Sequence, residues 1–181
     1  MFFNYSFQER KKLSALGAEY SRRSWYLAVA GLGLSLGLVF RLVAINQSLW
    51  LDEAISVQAA SQYSLRGLMA EFMPTDFNPP LYYFLLHFWL KIFPATEFFV
   101  RLPSVIFGIL TCWLIYKIYR LIFKDEKGAL LSLLLMVSSP LHIYYSQEAR
   151  AYSLAVFLVT GSFYYLIKLL KNKNLRFTIH Y

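Results

Sequence analysis

Two short polar breaks in an apolar chain hold the residues best suited to chemistry. Ser48-Leu49-Trp50-Leu51-Asp52-Glu53-Ala54 carries two adjacent carboxylates immediately after the first long apolar run. Gln147-Glu148-Ala149-Arg150 adds a carboxylate and a guanidinium about a hundred residues later. Ionisable groups beside a bilayer are costly and mark function by default. A carboxylate can take a proton from a hydroxyl. An arginine can grip a phosphate through two parallel hydrogen bonds. Neighbours on a helix diverge by about 100°, so Asp52 and Glu53 cannot both point at one atom. One can face a substrate while the other orients it, binds a cation or caps the helix. Alternatively, both carboxylates simply favour the positive end of a helix over 52–62, and Glu148 and Arg150 form a local ion pair at a helix end.

His87 and His142 read first as hydrogen-bonded structural residues. Tyr144 and Tyr145 suit an aromatic belt at a membrane interface, or a surface on which a sugar stacks. The chain contains no nucleotide-binding loop, no zinc-type Cys/His set and no serine-nucleophile motif.

The composition explains why charge is so informative here. Of 181 residues, 58% are hydrophobic and 19% aromatic, and only 15% are charged. A soluble domain would carry about 25% charged residues. The net charge of +8 raises the question of nucleic acid. The basic residues cluster between apolar runs, which fits the positive-inside rule and not a nucleic-acid patch. The single cysteine, Cys112, allows no intrachain disulfide. The polar N-terminal stretch and the lack of a small-residue cleavage site speak against a cleaved signal peptide.

The elements that must position these residues follow from hydropathy. The expected class is an all-α integral membrane protein with four transmembrane helices, at about 25–45, 102–123, 129–145 and 151–170. Residues 1–23 form a basic cytoplasmic flank, 24–170 the membrane domain, and 171–181 a cytoplasmic tail, read as truncated. A 21-residue apolar helix covers roughly 30 Å, the thickness of a hydrocarbon core. Gly33 and Gly37 make a small-residue face for close packing, and Arg41 is expected to snorkel outward. Pro140 should kink or end the third span. The loop over 46–101 should hold interfacial helices. One spans about 52–62. A second follows Ser64 as cap, with Leu65, Leu68, Met69 and Phe72 as a membrane-facing stripe. A third begins after Asn78-Pro79-Pro80 and runs over 81–93, presenting Tyr83, His87 and Lys91 as a polar face.

Charge sets the expected orientation. Thirteen Lys and Arg fall on the inner side in this arrangement, against Arg41, Arg66, Lys91, Arg101 and Arg150 outside. That balance holds only if 81–93 does not cross. Asp52-Glu53 and the 147–150 break then share the outer face and can meet in one cleft.

Four segments occur in one order: Leu49-Trp50-Leu51-Asp52-Glu53-Ala54, Asn78-Pro79-Pro80-Leu81-Tyr82-Tyr83, Arg101-Leu102-Pro103-Ser104, and Tyr144-Tyr145-Ser146-Gln147-Glu148-Ala149-Arg150-Ala151-Tyr152. Over about 25–170 the chain resembles the N-terminal part of the membrane glycosyltransferases with the C-type fold. The nearest group is the dolichyl-phosphate-mannose protein mannosyltransferase-like family 39. Members of that family carry more spans than four, so the resemblance implies a fragment, a truncated gene product or one half of a split enzyme.

The resemblance implies transfer of a sugar from a polyprenyl-phosphate carrier to a protein, lipid or glycan acceptor, at the extracytoplasmic face of the plasma membrane. In that scheme Asp52 is the general base and Glu53 orients it or helps bind a cation. Arg150 binds the leaving phosphate, with Lys91 and Arg101 as weaker candidates. Glu148 and His142 support the site or ligate a metal. Some members use a divalent metal ion near these carboxylates and others do not, so the resemblance allows a divalent metal ion here without requiring any cofactor. Membrane lipid and a second subunit supplying further spans are the other expected partners. A rival reading is a non-catalytic membrane subunit that binds a lipid-linked sugar or scaffolds a split enzyme. A transporter is disfavoured, because no mid-membrane ionisable pair stands out.

Overall fold

The computed structural model describes residues 7–76 and 78–171, and every described element among them is helical. Three helices are long and apolar enough to cross a membrane: Glu19–Leu42, Glu97–Phe123 and Tyr152–Lys171. A fourth span arises if the pair Glu126–Val137 and Pro140–Ser146, bent by 60°, is counted as one broken crossing.

Helix α1, Phe7–Leu42, begins inside the basic flank, well before Trp25. No proline interrupts residues 7–24, and their Glu, Lys, Leu and Ala favour helix. It ends three residues before the expected Ile45, where Ala44 takes a positive φ of 63°. The small-residue face packs closely on a neighbouring helix. A Cβ on Gly37 would lie 3.0 Å from Val137 Cγ1, and one on Gly33 would lie 3.5 Å from Leu133.

Helix α2, Leu51–Gln62, is followed by a single helical turn, α3, Leu65–Gly67. Ser64 caps α3 by accepting from the Gly67 N–H at 3.1 Å. The chain then widens into a π turn, Leu68–Phe72, and tightens into a 3-10 turn, Met73–Thr75. The expected membrane-facing stripe is split. Leu68 is fully buried and Phe72 meets the Tyr83 ring edge-on at 5.1 Å, while Leu65 and Met69 stay exposed.

Helix α4, Pro80–Trp89, is shorter than the expected 81–93. Pro79 occupies its cap position, and Asn78 instead bonds Asp76 at 2.7 Å. The supposed polar face turns inward. Tyr83 and His87 are buried, and His87 Nδ1 lies 2.8 Å from the Ala60 carbonyl of α2. A face that reads as interfacial in sequence is used to join α4 to α2, because its polar atoms find partners there.

Helix α5, Glu97–Phe123, is the central element and packs against α1, α6, α7 and α8. It contains Pro103, which cannot donate to the carbonyl four residues back. Trp89 Nε1 fills that vacancy by donating to Phe99 O at 2.8 Å. Asp125 caps α6, Glu126–Val137, through the N–H groups of Lys127 and Gly128. Pro140 sits at the first position of α7, Pro140–Ser146, with Ser139 as its cap. Helix α8, Tyr152–Lys171, returns along α5.

Arg41 does not snorkel. It is fully buried and donates to Gly37 O at 2.9 Å, Val137 O at 3.4 Å and Cys112 Sγ at 3.6 Å, with His142 Nδ1 at 2.6 Å from Nη2. The break after α6 leaves the Val137 carbonyl without a helical donor, and the guanidinium supplies one. Gly108 makes room for this. A Cβ there would lie 2.9 Å from Ser146 Cβ and 3.2 Å from Arg41 Nε.

A second buried guanidinium joins the loop helices to the bundle. Arg101, 3% exposed, and Glu53, 1% exposed, form an ion pair at 2.6 Å. Arg101 Nε donates to Glu53 Oε1 at 2.9 Å and Nη2 to Oε2 at 2.6 Å. Nη1 also donates to the carbonyls of Ile45 and Gln47, and Nη2 to that of Ser48, at 2.7, 2.6 and 3.1 Å. Glu53 further accepts from the N–H of Trp50 at 3.0 Å and of Ala149 at 2.7 Å. All five guanidinium donors and all four carboxylate lone pairs are therefore engaged.

Three predictions follow from this packing. Arg101→Met strands a buried carboxylate and should destabilise the fold by roughly 3–5 kcal/mol, read by thermal unfolding in detergent. Burial works to raise the Glu53 pKa, but the hydrogen bonds from Arg101, Ala149 and Trp50 and the Arg101 charge outweigh it and hold it low. Its stabilisation is thus present above the unfolded value of about 4.3 and is lost as pH falls through the folded value. Unfolding temperatures should drop on acidification below about pH 4, and Glu53→Gln, less stable at neutral pH, should show a flatter profile in that window. Separately, Gly108→Ala should cost about 1–3 kcal/mol by overpacking. Ser146→Gly in the same chain should recover much of it, because it removes the opposing atoms.

Candidate active site

Helical geometry assigns Asp52 and Glu53 to different tasks. Both lie in the first turn of α2, and their side chains leave the helix about 100° apart. Glu53 points into the bundle and Asp52 outward, where it is 69% exposed. The turn between α7 and α8 comes up beside it. Gln147 secures that turn by donating Nε2 to the carbonyls of Phe40 and Arg41 at 3.1 and 3.3 Å, and to that of Val43. These carbonyls belong to the end of α1, where helical donors run out. The Ala149 N–H bond to Glu53 fixes the other side of the turn.

Arg150 then reaches across to α2. Its Nη2 lies 3.6 Å from Asp52 Oδ2, and Nη1 donates to Asp52 O at 3.2 Å and to Ser56 Oγ at 3.4 Å. The guanidinium carbon sits 5.9 Å from the Tyr152 ring centre. Burial works against the Arg150 charge, but Tyr152 and Asp52 outweigh it and push its pKa up. An ion pair with so exposed a carboxylate is worth little on its own, about 0–1 kcal/mol, so an incoming phosphate can compete for it.

These groups face a cavity of about 380 Å³. Asp52, Glu148 and Arg150 supply its charge, and Trp50, Tyr144, Tyr145 and Tyr152 supply aromatic walls. Tyr145 and Tyr152 contact each other at 4.9 Å between ring centres. Such a mixture suits a ligand with an anionic head and faces that stack.

Asp76, which does not line the cavity and which sequence reasoning did not single out, acts on Arg150 through its charge. Tyr83 donates its hydroxyl to Asp76, and Asn78 donates both its N–H and its side-chain amide. Burial tends to raise the Asp76 pKa, but the Tyr83 and Asn78 bonds and the Arg150 charge bring it below the usual range. Burial and the Asp76 bond push the Tyr83 pKa up to about 12, so Tyr83 remains a donor. The short spacing of Asp76, Asn78 and Tyr83 was the available signal.

Other candidates are engaged by protein partners or lie outside the cavity. Arg101 has no donor left for a phosphate, and Glu53 no lone pair left for a cation or a proton in transit. Both hold the wall of the cavity in place. Lys91 is exposed, lies 5.3 Å from the Phe88 ring centre and does not line the cavity. His142 faces a separate, largely apolar cavity between α6, α7 and α8, and its Nδ1 is taken by Arg41. Among the described residues no three His, Cys, Asp or Glu side chains converge on one point. Asp52, Glu53 and Glu148 line the cavity, and with the Glu53 oxygens consumed two carboxylates remain among the described residues, short of an all-protein cage for a divalent cation.

The pattern that describes dolichyl-phosphate-mannose-protein mannosyltransferases matches residues 78–180, more than half of the chain, and includes Arg101, Glu148 and Arg150 but not Asp52. Comparisons with curated proteins and with solved structures return no match. The match over 78–180, on a chain with several membrane-length apolar helices, places the protein in the dolichyl-phosphate-mannose-protein mannosyltransferase family, the membrane glycosyltransferases of the mannosyltransferase type.

Proposed function

We propose that this chain takes part in transferring a sugar from a polyprenyl monophosphate to an acceptor hydroxyl at the extracytoplasmic face of the plasma membrane, with Asp52 as general base and Arg150 on the departing phosphate. One observation carries the reading. Asp52 and Arg150, 98 residues apart, meet at a single aromatic-walled cavity. Family membership supplies the reaction class, and the excess of Lys and Arg at the other end of the bundle supports the orientation.

The chemistry is a direct displacement. The acceptor oxygen bonds to the anomeric carbon while its proton passes to a carboxylate oxygen of Asp52. The bond from that carbon to the phosphate oxygen breaks, and the polyprenyl phosphate leaves with the electron pair. Attack opposite the leaving group inverts the anomeric centre. Arg150 neutralises charge that grows on the phosphate as the bond breaks. Glu148 keeps Arg150 in register or shares a cation with Asp52. The four aromatic rings hold the sugar and the first part of the carrier.

A second reading is a donor-binding subunit that does not itself transfer. It rests on the 69% exposure of Asp52, since a working base is normally shielded from water. In that case a further chain or further spans would close the cavity.

One experiment separates the two. Transfer from defined polyprenyl-phosphate sugars is measured in membranes containing the full assembly. Asp52→Asn should lower turnover by roughly 10²–10⁴-fold, the range for lost acid–base catalysis, with donor binding and unfolding temperature unchanged. Unaltered turnover would end the base assignment, and unaltered turnover with weakened donor binding would favour the binding role. Arg150→Gln should weaken donor binding by about tenfold, the equivalent of one charge-assisted hydrogen bond.

A further inference from the structure

At the far end of α5 lies a second polar concavity that the proposed transfer reaction does not use. It encloses about 260 Å³ and is lined by Lys117, Arg120, Leu121 and Tyr164. Lys117 and Arg120 are three residues apart on α5, so they share a face. Tyr164 approaches from α8, and the Lys117 ammonium lies 4.9 Å from its ring centre.

The positive charge in this concavity is only half cancelled: Arg120 is paired with Glu126 through Nε alone, and Lys117 has no acidic partner among the described residues. Glu126 takes Arg120 Nε at 2.6 Å and also accepts from Tyr116 at 2.9 Å. Both terminal nitrogens of Arg120 have no protein acceptor among the described residues, and neither does the Lys117 ammonium. Lys171 is spent on the Leu121 and Ile122 carbonyls, which removes the negative end of α5 as an obstacle to an anion. Lys124, Lys127 and Lys168 add positive charge at the same end of the bundle, against Asp125 and Glu126.

Position identifies the class of ligand. Arg101 marks the level of the Asp52 cavity. At 1.5 Å per residue, Lys117 and Arg120 lie about 24–28 Å further along α5. That is close to the roughly 30 Å thickness of a hydrocarbon core. The concavity is therefore at headgroup depth on the opposite membrane surface. Exposed Ile122, Phe123, Leu169 and Leu170 beside it offer apolar surface for acyl chains. Basic pockets between membrane helices bind anionic headgroups in this way.

We propose that Lys117 and Arg120, backed by Tyr164, bind the phosphate of an anionic phospholipid in the leaflet opposite the Asp52 cavity. The Arg120 terminal nitrogens make the two parallel bonds of a guanidinium–phosphate pair, and Lys117 adds a point charge. The site fixes the α5–α8 contact at the end remote from the cavity. It requires no part of the transfer mechanism.

The full chain is placed in phosphatidylcholine nanodiscs and titrated with dansyl-labelled phosphatidylglycerol, read by energy transfer from tryptophan. Labelled phosphatidylglycerol should bind in preference to labelled phosphatidylcholine. Lys117→Gln should weaken that binding by roughly tenfold, the equivalent of one charge-assisted contact. Lys117→Arg should retain it, and Asp52→Asn should leave it unchanged. Displacement of the labelled lipid by millimolar inorganic phosphate would establish the same oxyanion site as one filled from solution. Equal affinity for the two lipids, or undiminished binding in Lys117→Gln, would overturn the proposal.

Discussion

The buried pair of Glu53 and Arg101 constrains everything around the candidate active site. It joins the first turn of α2, the carbonyls over 45–48, the start of α5 and the turn after α7. Two charges taken out of water cost several kcal/mol each, and their attraction offsets this only when every remaining donor and acceptor is used. Here they all are. A hydrophobic pair of equal volume could serve stability as well, yet it would not hold four backbone segments at fixed distances. Directional bonds can, and the Asp52–Arg150 spacing depends on those segments.

Much of this was legible in the residue order. Apolar runs located the long helices, Ser64 announced a helix start, and Pro140 announced the break between α6 and α7. Scarcity of charge pointed to 52–53 and 147–150, which do meet. Partner choice was less legible. Arg101, Arg150 and Arg41 are one residue type in similar apolar settings. Their fates differ because Arg101 finds Glu53 and three carbonyls, Arg41 finds a carbonyl freed at a helix break, and Arg150 finds an exposed carboxylate with one carbonyl and one hydroxyl at longer range. Long-range partners of this kind have no local signature.

The same limit explains α4 and the stretch after α3. Periodicity shows that Tyr83 and His87 share a face, or that Leu68 and Phe72 do. It does not say whether that face meets lipid, water or another helix. In the fold, α2 and α4 pack together over Ala59, Ala60, Tyr82, Tyr83 and Leu86. Polar atoms that suggested an interface serve as hydrogen-bond partners within this small layer, and the π turn lets Leu68 and Phe72 reach it.

Adjacency of Asp52 and Glu53 is what couples the scaffold to the proposed chemistry. A helix turns about 100° per residue, so locking one carboxylate inward determines where the next one points. With Glu53 bonded on both oxygens, the first turn of α2 cannot rotate, and Asp52 is held at the cavity mouth without any strong bond of its own. The base role proposed for Asp52 needs that combination. Tight pairing would keep its lone pairs occupied, whereas an unsupported loop would scatter its position by more than proton transfer tolerates. The ordered neighbour supplies the precision, and the exposed one keeps the lone pair free.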